Sequence, residues 1–335
     1  MPLVESVPNV SEGRRIAVVD ELAGAIARIP GVHLLDRTSD ASHNRSVFTL
    51  AGEAAQVEDA LEALVAAAIE TIEMDEHRGE HPRIGAVDVV PFVPLAGATM
   101  DETVVIARAF GRRIAERFGL PVYLYANAAL RPDRQRLADV RRGQYEGLKA
   151  EIGQRGREPD FGPSRMHPRA GAVAVGARPF LIAYNINLES SDVGLAKRIA
   201  RRVRESGGGL PKVQANGFWI EELGVAQVSM NLLDFRTTSI WEVWQAVSAL
   251  AAQEDTAARE SELIGLAPLD ALLDVAARAD SVREPSDATS ADRSSEDSVE
   301  ARLARAADAI RLRDFSPLQA LELRLAAAEE ASVRP

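Results

Sequence analysis

The sequence IGAVDVVPFVPL at residues 84–95 is typical of a buried β-strand, because apolar and β-branched residues fill most of it. The segments before it alternate between β-type and helical patterns: a strand at 3–9, a helix at 13–29, β-type segments at 33–36 and 45–52, and a helix at 53–72. The strand at 84–95 closes this series. The resulting β-α-β-β-α-β order is that of a ferredoxin-like unit.

The second half of the chain repeats this order. Its expected elements are a strand at 180–188, a helix at 192–205, a hairpin formed by 213–220 and 226–235, a helix at 239–253 and a closing strand at 262–268. We therefore predict the α/β (α+β) class, with two ferredoxin-like βαββαβ subdomains, a ligand groove between their sheets and the helices outside.

The division of the chain into domains follows from these two units. The predicted limits are 1–178 for the first subdomain, 179–280 for the second, 281–298 for a linker and 299–335 for C-terminal helices that pack on the body. The linker is rich in Ser and Asp and has no aromatic residue, which predicts flexibility. Between the two units we expect a helix at 101–118, a strand at 121–126, a charged connection to about 160, and then a loop rich in Gly and Pro up to 179.

The composition excludes several classes of protein. The chain has 335 residues, a net charge of −11 and no cysteine. Without cysteine, disulfides, thiolate–zinc sites and cysteine nucleophiles are excluded, which fits a cytoplasmic location. An acidic chain is unsuited to broad binding of nucleic acid, since phosphates need a basic face. No apolar run is long enough to cross a bilayer, so we expect no membrane partner.

Two of the five histidines lie in DEHRGEHPRIGAVD, residues 75–88. His77 and His81 belong to an H-x-x-E-H pattern, which is that of inverted zinc peptidases. The pattern requires a helix, in which side chains at i and i+4 share a face. Gly79 lies between the histidines, and Pro82 disfavours a helical conformation at His81. We therefore reject the zinc site and predict no metal.

Proton transfer requires a single histidine, and His81 is the candidate. Imidazole titrates near neutrality, so it can accept a proton and return it within one cycle. Glu80, Arg83 or Asp88 would orient the ring or tune its pKa. The alternative is a solvated loop with two incidental histidines. Spacing alone favours that alternative, and it stays open at this point.

Other polar residues occur where strands begin or end. Asn9 and Ser11 follow the first strand, where capping of the next helix is the simpler interpretation. Asn44 and Arg45 precede a strand, where a surface turn is the default expectation. Local sequence therefore leaves a role for these four residues open.

Two amides lie inside an apolar strand of the second half. Asn185 and Asn187 alternate with apolar residues in FLIAYNINL, residues 180–188. A buried amide is costly unless it is hydrogen-bonded. These two residues are therefore stronger candidates for a site.

Several stretches together resemble the glutamate formimidoyltransferase family, which is defined by the formiminotransferase domain. They are VPNVSEGRR (7–15), NRSVFT (44–49), GEHPRIGAVDVVPFVP (79–94), PVYLY (121–125), DFGPS (160–164), GARPFLIAYNINL (176–188), AQVSMNLLDF (226–235) and LIGLAPLDALLD (263–274). They run in family order over nearly the whole chain, and FSP follows at 315–317. Each stretch is a weak signal, but the set is highly specific.

The resemblance implies transfer of a formimino group from N-formimidoyl-L-glutamate to N5 of tetrahydrofolate, with release of glutamate, as in histidine degradation and one-carbon metabolism. It implies that His81, in the G-E-H-P-R motif, is the catalytic acid and base, which carries the proton of the attacking nitrogen to the departing one. It also implies tetrahydrofolate as co-substrate in the groove and a homodimer. Because the chain stops before a cyclodeaminase domain would fit, a separate cyclodeaminase would take the product.

The same resemblance places folate against the loop GPSRMHPRAGA. Arginines 45, 83 and 178 are suited to pair with the carboxylates of substrate or folate. The residues predicted to contact folate or substrate are Asn9, Ser11, Glu12, Asn44, Arg45, Glu80, Arg83, Asp88, Gly162, Pro163, Ser164, Pro168, Gly171, Ala172, Arg178, Asn185 and Asn187.

One position departs from the family pattern. Members commonly carry D-x-D after the second strand, whereas this chain has Asp36, Arg37 and Thr38, followed by Ser39 and Asp40. Either Asp40 substitutes from a shifted position or the role is absent. The sequence therefore leaves two possible transferred groups. One is formimino, and the other is formyl, with glutamate or N-formylglutamate as the partner of the folate. A non-catalytic folate-binding protein is the remaining alternative.

Overall fold

A computed structural model describes residues 2–282 and 298–333 of the chain. The chain divides into two compact units, Met1–Pro179 and Phe180–Pro335. Most of the predicted linker, residues 283–297, lies outside the described residues. The described ends of the linker, Ser281 with Val282 and Ser298, belong to a helix and to a helix cap, respectively.

The first unit begins with the predicted ferredoxin-like order. Its elements are β1 (Leu3–Ser6), β2 (Asn9–Val10), α1 (Ile16–Ala27), β3 (Val32–Asp40), β4 (Arg45–Glu53), α2 (Ala54–Thr71) and β5 (Val87–Pro94). Strand β1 pairs antiparallel with β4 and β5, and β3 pairs antiparallel with β4. The split βαβ arrangement expected from the hydrophobic periodicity is therefore confirmed.

Further elements extend this sheet beyond β5. They are α3 (Met100–Phe118), β6 (Val122–Ala126), α4 (Leu137–Val140), α5 (Gln144–Glu151) and β7 (Val173–Ala177). Strand β7 lies between β5 and β6 and is parallel to both. The prediction of a loop for this segment was wrong. The five residues VAVGA carry a weak local signal, and their conformation depends on two partners distant in sequence.

Helix α3 covers the parallel part of the sheet. Its start is stabilised by a capping box in which the Thr99 hydroxyl accepts from the Glu102 backbone and the Glu102 carboxylate accepts from Thr99. Its end has Gly119 in the left-handed region, φ 65°. Phe110 packs edge-on against Phe92 of β5 with ring centroids 5.4 Å apart. This contact fixes α3 on one face of the sheet.

The opposite face of the parallel strands carries a second apolar cluster. Tyr123 and Tyr125 of β6 pack there with Val140 of α4 and Leu148 of α5. The segment containing α4 and α5 therefore covers this face next to β5. Charged side chains from that segment consequently reach the residues just before β5.

The β3–β4 hairpin is longer than predicted. We expected the polar residues 37–44 to separate the strands, but β3 continues to Asp40 and the turn comprises residues 41–44. Cross-strand pairing with β4 outweighs the low strand propensity of these residues. Asn44 closes the turn in the left-handed region, with φ 49°. Asp40 lies directly opposite Arg45 in the register.

The second unit repeats the ferredoxin-like order with an antiparallel sheet. Its elements are β8 (Ile182–Leu188), α6 (Val193–Val203), β9 (Val213–Ile220), β10 (Val225–Leu232), α7 (Ile240–Gln253), β11 (Ala258–Ile264), α8 (Leu269–Val282), α9 (Val299–Ala309) and α10 (Leu321–Val333). The strand order is β11-β8-β10-β9. The closing strand lies a few residues earlier than predicted, because Gly265 leaves the β region with φ 73°. Among residues 2–282 and 298–333, no helix is long and apolar enough to cross a membrane.

Candidate active site

A cleft with about 180 Å³ of empty space, including space open to solvent, lies in the first unit where the turn of the β3–β4 hairpin meets the loop before β5. Its lining brings together residues from four stretches of the chain: Asn9, Val10, Ser11, His43, Asn44, Arg45, His77, His81, Arg83 and Asp88. Six of the residues predicted from sequence to contact folate or substrate are in this set beside His81. The cleft therefore joins the G-E-H-P-R and N-R-S-V motifs in one place.

Asn44 holds the hairpin turn against the surrounding loops. Its side-chain oxygen accepts a hydrogen bond from Gly13 N at 3.0 Å, and its amide donates to Arg78 O at 3.0 Å. Its backbone carbonyl accepts from Nε2 of His77 at 3.0 Å. Ser11 ties the other side, because its hydroxyl donates to Gly85 O at 2.7 Å. These residues shape the cleft.

Glu12 stabilises the start of α1. Its carboxylate accepts from the backbone N–H groups of Arg14 and Arg15 at 2.9 Å each. Burial would raise the pKa of Glu12, but these hydrogen bonds and the Arg15 guanidinium outweigh it and hold the pKa below the ordinary value. The ionised carboxylate therefore holds the turn that precedes α1, and Glu12 is not in the lining of the cleft.

His77 is fixed at both ring nitrogens. Nε2 donates to the Asn44 carbonyl, which requires the proton on Nε2, and Nδ1 accepts from Nε of Arg83 at 3.2 Å. Arg83 is buried and forms two hydrogen bonds with the carboxylate of Glu146, at 2.9 and 2.7 Å. Burial is the largest cause that lowers the pKa of His77. His77 therefore supports the loop as a neutral ring, and Arg83 is engaged by protein partners.

The loop that carries His81 is held close to the hairpin. The structure describes every residue from 72 to 86, and none is helical, so the helix required by H-x-x-E-H does not form. A Cβ on Gly79 would lie 2.2 Å from the carbonyl oxygen of His43, so only glycine permits this approach. Among the described residues, no group of three or more His, Asp or Glu side chains is placed to hold a metal ion.

Replacing Gly79 with alanine is expected to lower turnover at least about tenfold. The added methyl group would force the loop away from His43, and a displacement of about 1 Å in a site of this kind costs rate steeply. Steady-state rates and thermal melting would test this. Gly147→Ala is the matched control, since a Cβ at this helical position of α5 meets nothing within 4 Å. An unchanged rate for Gly79→Ala would contradict the role of the close approach.

Arg45 and Asp88 form a charged wall of the cleft, and Arg141 pairs with Asp88 from outside the lining. Asp88 is buried and accepts from Ile84 N at 2.7 Å and from the guanidinium of Arg141, which follows α4. Arg45 has no carboxylate within 4.0 Å among the described residues, and its buried Nε lacks a hydrogen-bond partner there, as does Nε of Arg141. Burial and the nearby Arg141 lower the pKa of Arg45 to about 10. The wall therefore carries excess positive charge.

His81 faces this positive wall. Burial, Arg45, Arg141 and His43 together lower the pKa of the His81 ring to about 3, with burial the largest cause. The ring is consequently neutral at physiological pH and has a lone pair available to accept a proton. An anion that neutralises Arg45 and Arg141 would raise this pKa toward the ordinary value of about 6.5.

Sequence reasoning assigned no site role to Val10, His43 and His77 of the lining, or to Arg141, which pairs with Asp88. His43 lies in the hairpin turn, with its ring centroid 6.2 Å from that of His81. Arg141 lies in a charged connection with no motif of its own. The only local signal for His43 was its position directly before Asn44 and Arg45, and for Arg141 no local signal exists.

Several predicted residues lie outside the cleft lining. Glu80 is exposed, and its backbone N–H approaches Ser42 O at 3.4 Å. Gly162 adopts φ 84° against Leu120, and Gly171 adopts φ 72° against Ile84. The others outside the lining are Pro163, Ser164, Pro168, Ala172 and Arg178. The structure therefore assigns conformational reasons to the two glycines and does not test contact of this group with folate.

The amides of the second unit are hydrogen-bonded on the sheet face opposite helices α6 and α7. Asn185 donates to Glu262 at 3.4 Å and Asn187 donates to Glu260 at 3.0 Å. Gln227 of β10 donates to Asn187 at 2.9 Å. The cost of burying these amides is offset by carboxylate partners on β11.

Comparison with known proteins covers both units. A family model described as "Formiminotransferase domain, N-terminal subdomain" matches residues 3–178, and one described as "Formiminotransferase domain" matches residues 183–282. A glutamate formimidoyltransferase from Streptococcus pyogenes serotype M1 is 45% identical over 82% of this chain and 92% of that protein. One from Thermoplasma acidophilum is 47% identical over 82% of this chain and 91% of that protein.

Longer relatives and solved structures complete the comparison. A formimidoyltransferase-cyclodeaminase from Rattus norvegicus is 46% identical over 82% of this chain and 52% of that protein, so the matched part of this chain spans about half of it. A solved structure of pitrilysin covers 98% of this chain and 41% of that chain at 12% identity, with a TM-score of 0.19. A similarity that low carries no argument about the fold.

Proposed function

The chain belongs to the formiminotransferase family, and we propose that it transfers the formimino group of N-formimidoyl-L-glutamate to N5 of tetrahydrofolate, releasing glutamate. The observation that carries this proposal is the 45–47% identity to two glutamate formimidoyltransferases over more than nine-tenths of their length. The cleft around His81 supports it independently, because it combines a neutral imidazole with the guanidinium group of Arg45, which has no carboxylate partner in the described part of the chain. The proposed activity is that of a folate-dependent group transferase.

The positive wall would bind a carboxylate of the donor. Arg45 and Arg141 each present a buried Nε without a partner in the described part of the chain, while Asp88 neutralises only one of the two charges. Arginine binds carboxylates through charge-assisted hydrogen bonds, which are shorter and stronger than neutral ones. A glutamate carboxylate at Arg45 would place the formimino carbon near His81.

His81 would handle the proton of the attacking nitrogen. When the N5 amine attacks the formimino carbon, a C–N bond forms and N5 carries an extra proton. The lone pair of the neutral His81 ring accepts that proton. The bond to the glutamate nitrogen then breaks after that nitrogen gains a proton, so the reaction consumes and releases no net proton. Binding of a carboxylate at Arg45 and Arg141 would assist this proton acceptance, because it would raise the pKa of His81 from about 3.

The proposed co-substrate, oligomeric state, location and downstream enzyme are inferred from the family. Tetrahydrofolate is proposed as a co-substrate, with the loop from Gly162 to Ala172 as its contact. We also predict a homodimer, a cytoplasmic location and a separate cyclodeaminase that takes the product. Support for the last comes from relatives in which a formimidoyltransferase-cyclodeaminase is about twice as long as the matched region.

A donor comparison tests the proposed function. The purified chain would be incubated with tetrahydrofolate and either N-formimidoyl-L-glutamate or N-formyl-L-glutamate, and release of glutamate would be measured. We expect turnover with the formimino donor at least about tenfold faster than with the formyl donor. Faster turnover of the formyl donor would make the chain a formyltransferase. Binding of tetrahydrofolate without turnover of either donor would leave only a folate-binding role.

A further inference from the structure

The cleft contains two imidazole rings with opposite electrostatic surroundings. His81 faces the guanidinium groups of Arg45 and Arg141, which disfavour a second positive charge. His43 instead has the carboxylate of Asp40 at its Nδ1, with 2.9 Å between Nδ1 and Oδ2. Two titratable side chains with different charged neighbours in one site are the usual basis for dividing acid and base roles between them.

Asp40 holds His43 at two points. Its Oδ1 accepts from the backbone N–H of His43 at 2.8 Å, and its Oδ2 pairs with the ring. Burial would raise the pKa of Asp40, but the backbone and ring hydrogen bonds from His43 outweigh it and lower that pKa. An ionised carboxylate at Nδ1 fixes the orientation of the ring. Nε2 lies on the side of the His43 ring away from Asp40. Among the described residues it has no hydrogen-bond partner, so it is available to a substrate.

The proposed reaction requires a proton to leave one nitrogen and another to reach a second nitrogen on the same carbon. The attacking N5 loses a proton, and the departing glutamate nitrogen gains one before its bond to carbon breaks. A neutral His81 is suited to the first step and has no proton to spare for the second until the first is complete. The reaction therefore calls for a separate proton donor.

We propose that His43, oriented by Asp40, is the general acid that protonates the departing glutamate nitrogen while His81 accepts the proton from N5. His43 gives up its Nε2 proton, and the proton gained by His81 returns to His43 between turnovers, so that atoms and charge balance over one cycle. The ring centroids are 6.2 Å apart, a separation that a single water can bridge. This inference rests on the proposed function.

The position of Asp40 also accounts for the departure at Thr38. Both residues lie on the same face of β3, because Thr38 pairs with Val47 and Asp40 with Arg45, and side chains two apart share a face. Asp40 is two residues closer than Thr38 to the turn that carries His43. Asp40 therefore supplies a carboxylate on the same face as Thr38, two residues closer to the turn. In this proposal the carboxylate acts through His43.

Rescue by imidazole separates this role from a structural one. In His43→Ala, kcat is expected to fall about 100-fold or more, with the KM for tetrahydrofolate changed less than threefold. Added imidazole should restore rate in proportion to the protonated imidazolium. In His81→Ala, any restored rate should follow neutral imidazole instead. Asp40→Asn should lower kcat about tenfold with His43 in place.

A matched control and two outcomes decide the proposal. His33→Gln changes a half-buried histidine of the same hairpin outside the cleft and should keep the wild-type rate. A kcat within threefold of wild type for both His43→Ala and Asp40→Asn would overturn the inference, as would rescue of His43→Ala that follows neutral imidazole. Both results leave the transferase function intact. Failure of the wild-type chain to turn over either donor would remove both proposals.

Discussion

Replacing His81 with alanine is expected to lower kcat by about 100- to 10,000-fold, the usual contribution of a general acid–base residue. The ring is the half-buried acceptor of the cleft, and burial with Arg45 and Arg141 keeps it neutral and able to take the N5 proton. The variant should keep its affinity for tetrahydrofolate, because alanine removes the proton acceptor without adding bulk. Steady-state kinetics with the formimino donor and equilibrium binding of tetrahydrofolate would measure the two effects.

The loop should keep its conformation in His81→Ala, so a lower rate would reflect loss of the imidazole ring. His77, Arg83 and Asn44 hold the loop through contacts that do not include the His81 ring. A thermal melt close to that of wild type is therefore expected. A full rate in His81→Ala would show that the proton is carried by another group, even with the family assignment intact.

Replacing Arg45 with methionine is expected to raise the KM for N-formimidoyl-L-glutamate about 10- to 100-fold. Hydrogen bonds to charged groups contribute about 1.5–3 kcal/mol, and about 1.4 kcal/mol corresponds to a factor of ten. Methionine keeps much of the apolar length of the side chain and removes the charge. Arg37→Met is the matched control, since Arg37 lies on the neighbouring strand and pairs with Asp20 at the exposed surface.

The same variant offers a second measurement. Removing the positive charge of Arg45 should raise the pKa of His81 from about 3 toward 6.5, so that more of the ring is protonated between these values. Titration of the imidazole Cε1 resonance by NMR would follow this directly. A KM for the donor within twofold of wild type, together with an unmoved His81 titration, would exclude Arg45 from the carboxylate site.

The order of elements was predictable because each element has a local periodicity. Both β-α-β-β-α-β units followed from alternation and helical spacing, which neighbouring residues alone establish. Strand β7 was missed because its pairing with β5 and β6 lies outside any local window. The end of β3 was placed too early because pairing with β4 overrode local propensity.

By itself, the sequence determined the two ferredoxin-like units, the family and the non-helical loop at His81, because Gly79 and Pro82 restrict the backbone locally. The tertiary structure alone decided which charges surround that histidine. His43 lines the cleft and Arg141 pairs with Asp88 of its lining, and their two segments contain no shared motif. A pKa depends on burial and on charges a few ångströms away in space, and a linear pattern does not specify either.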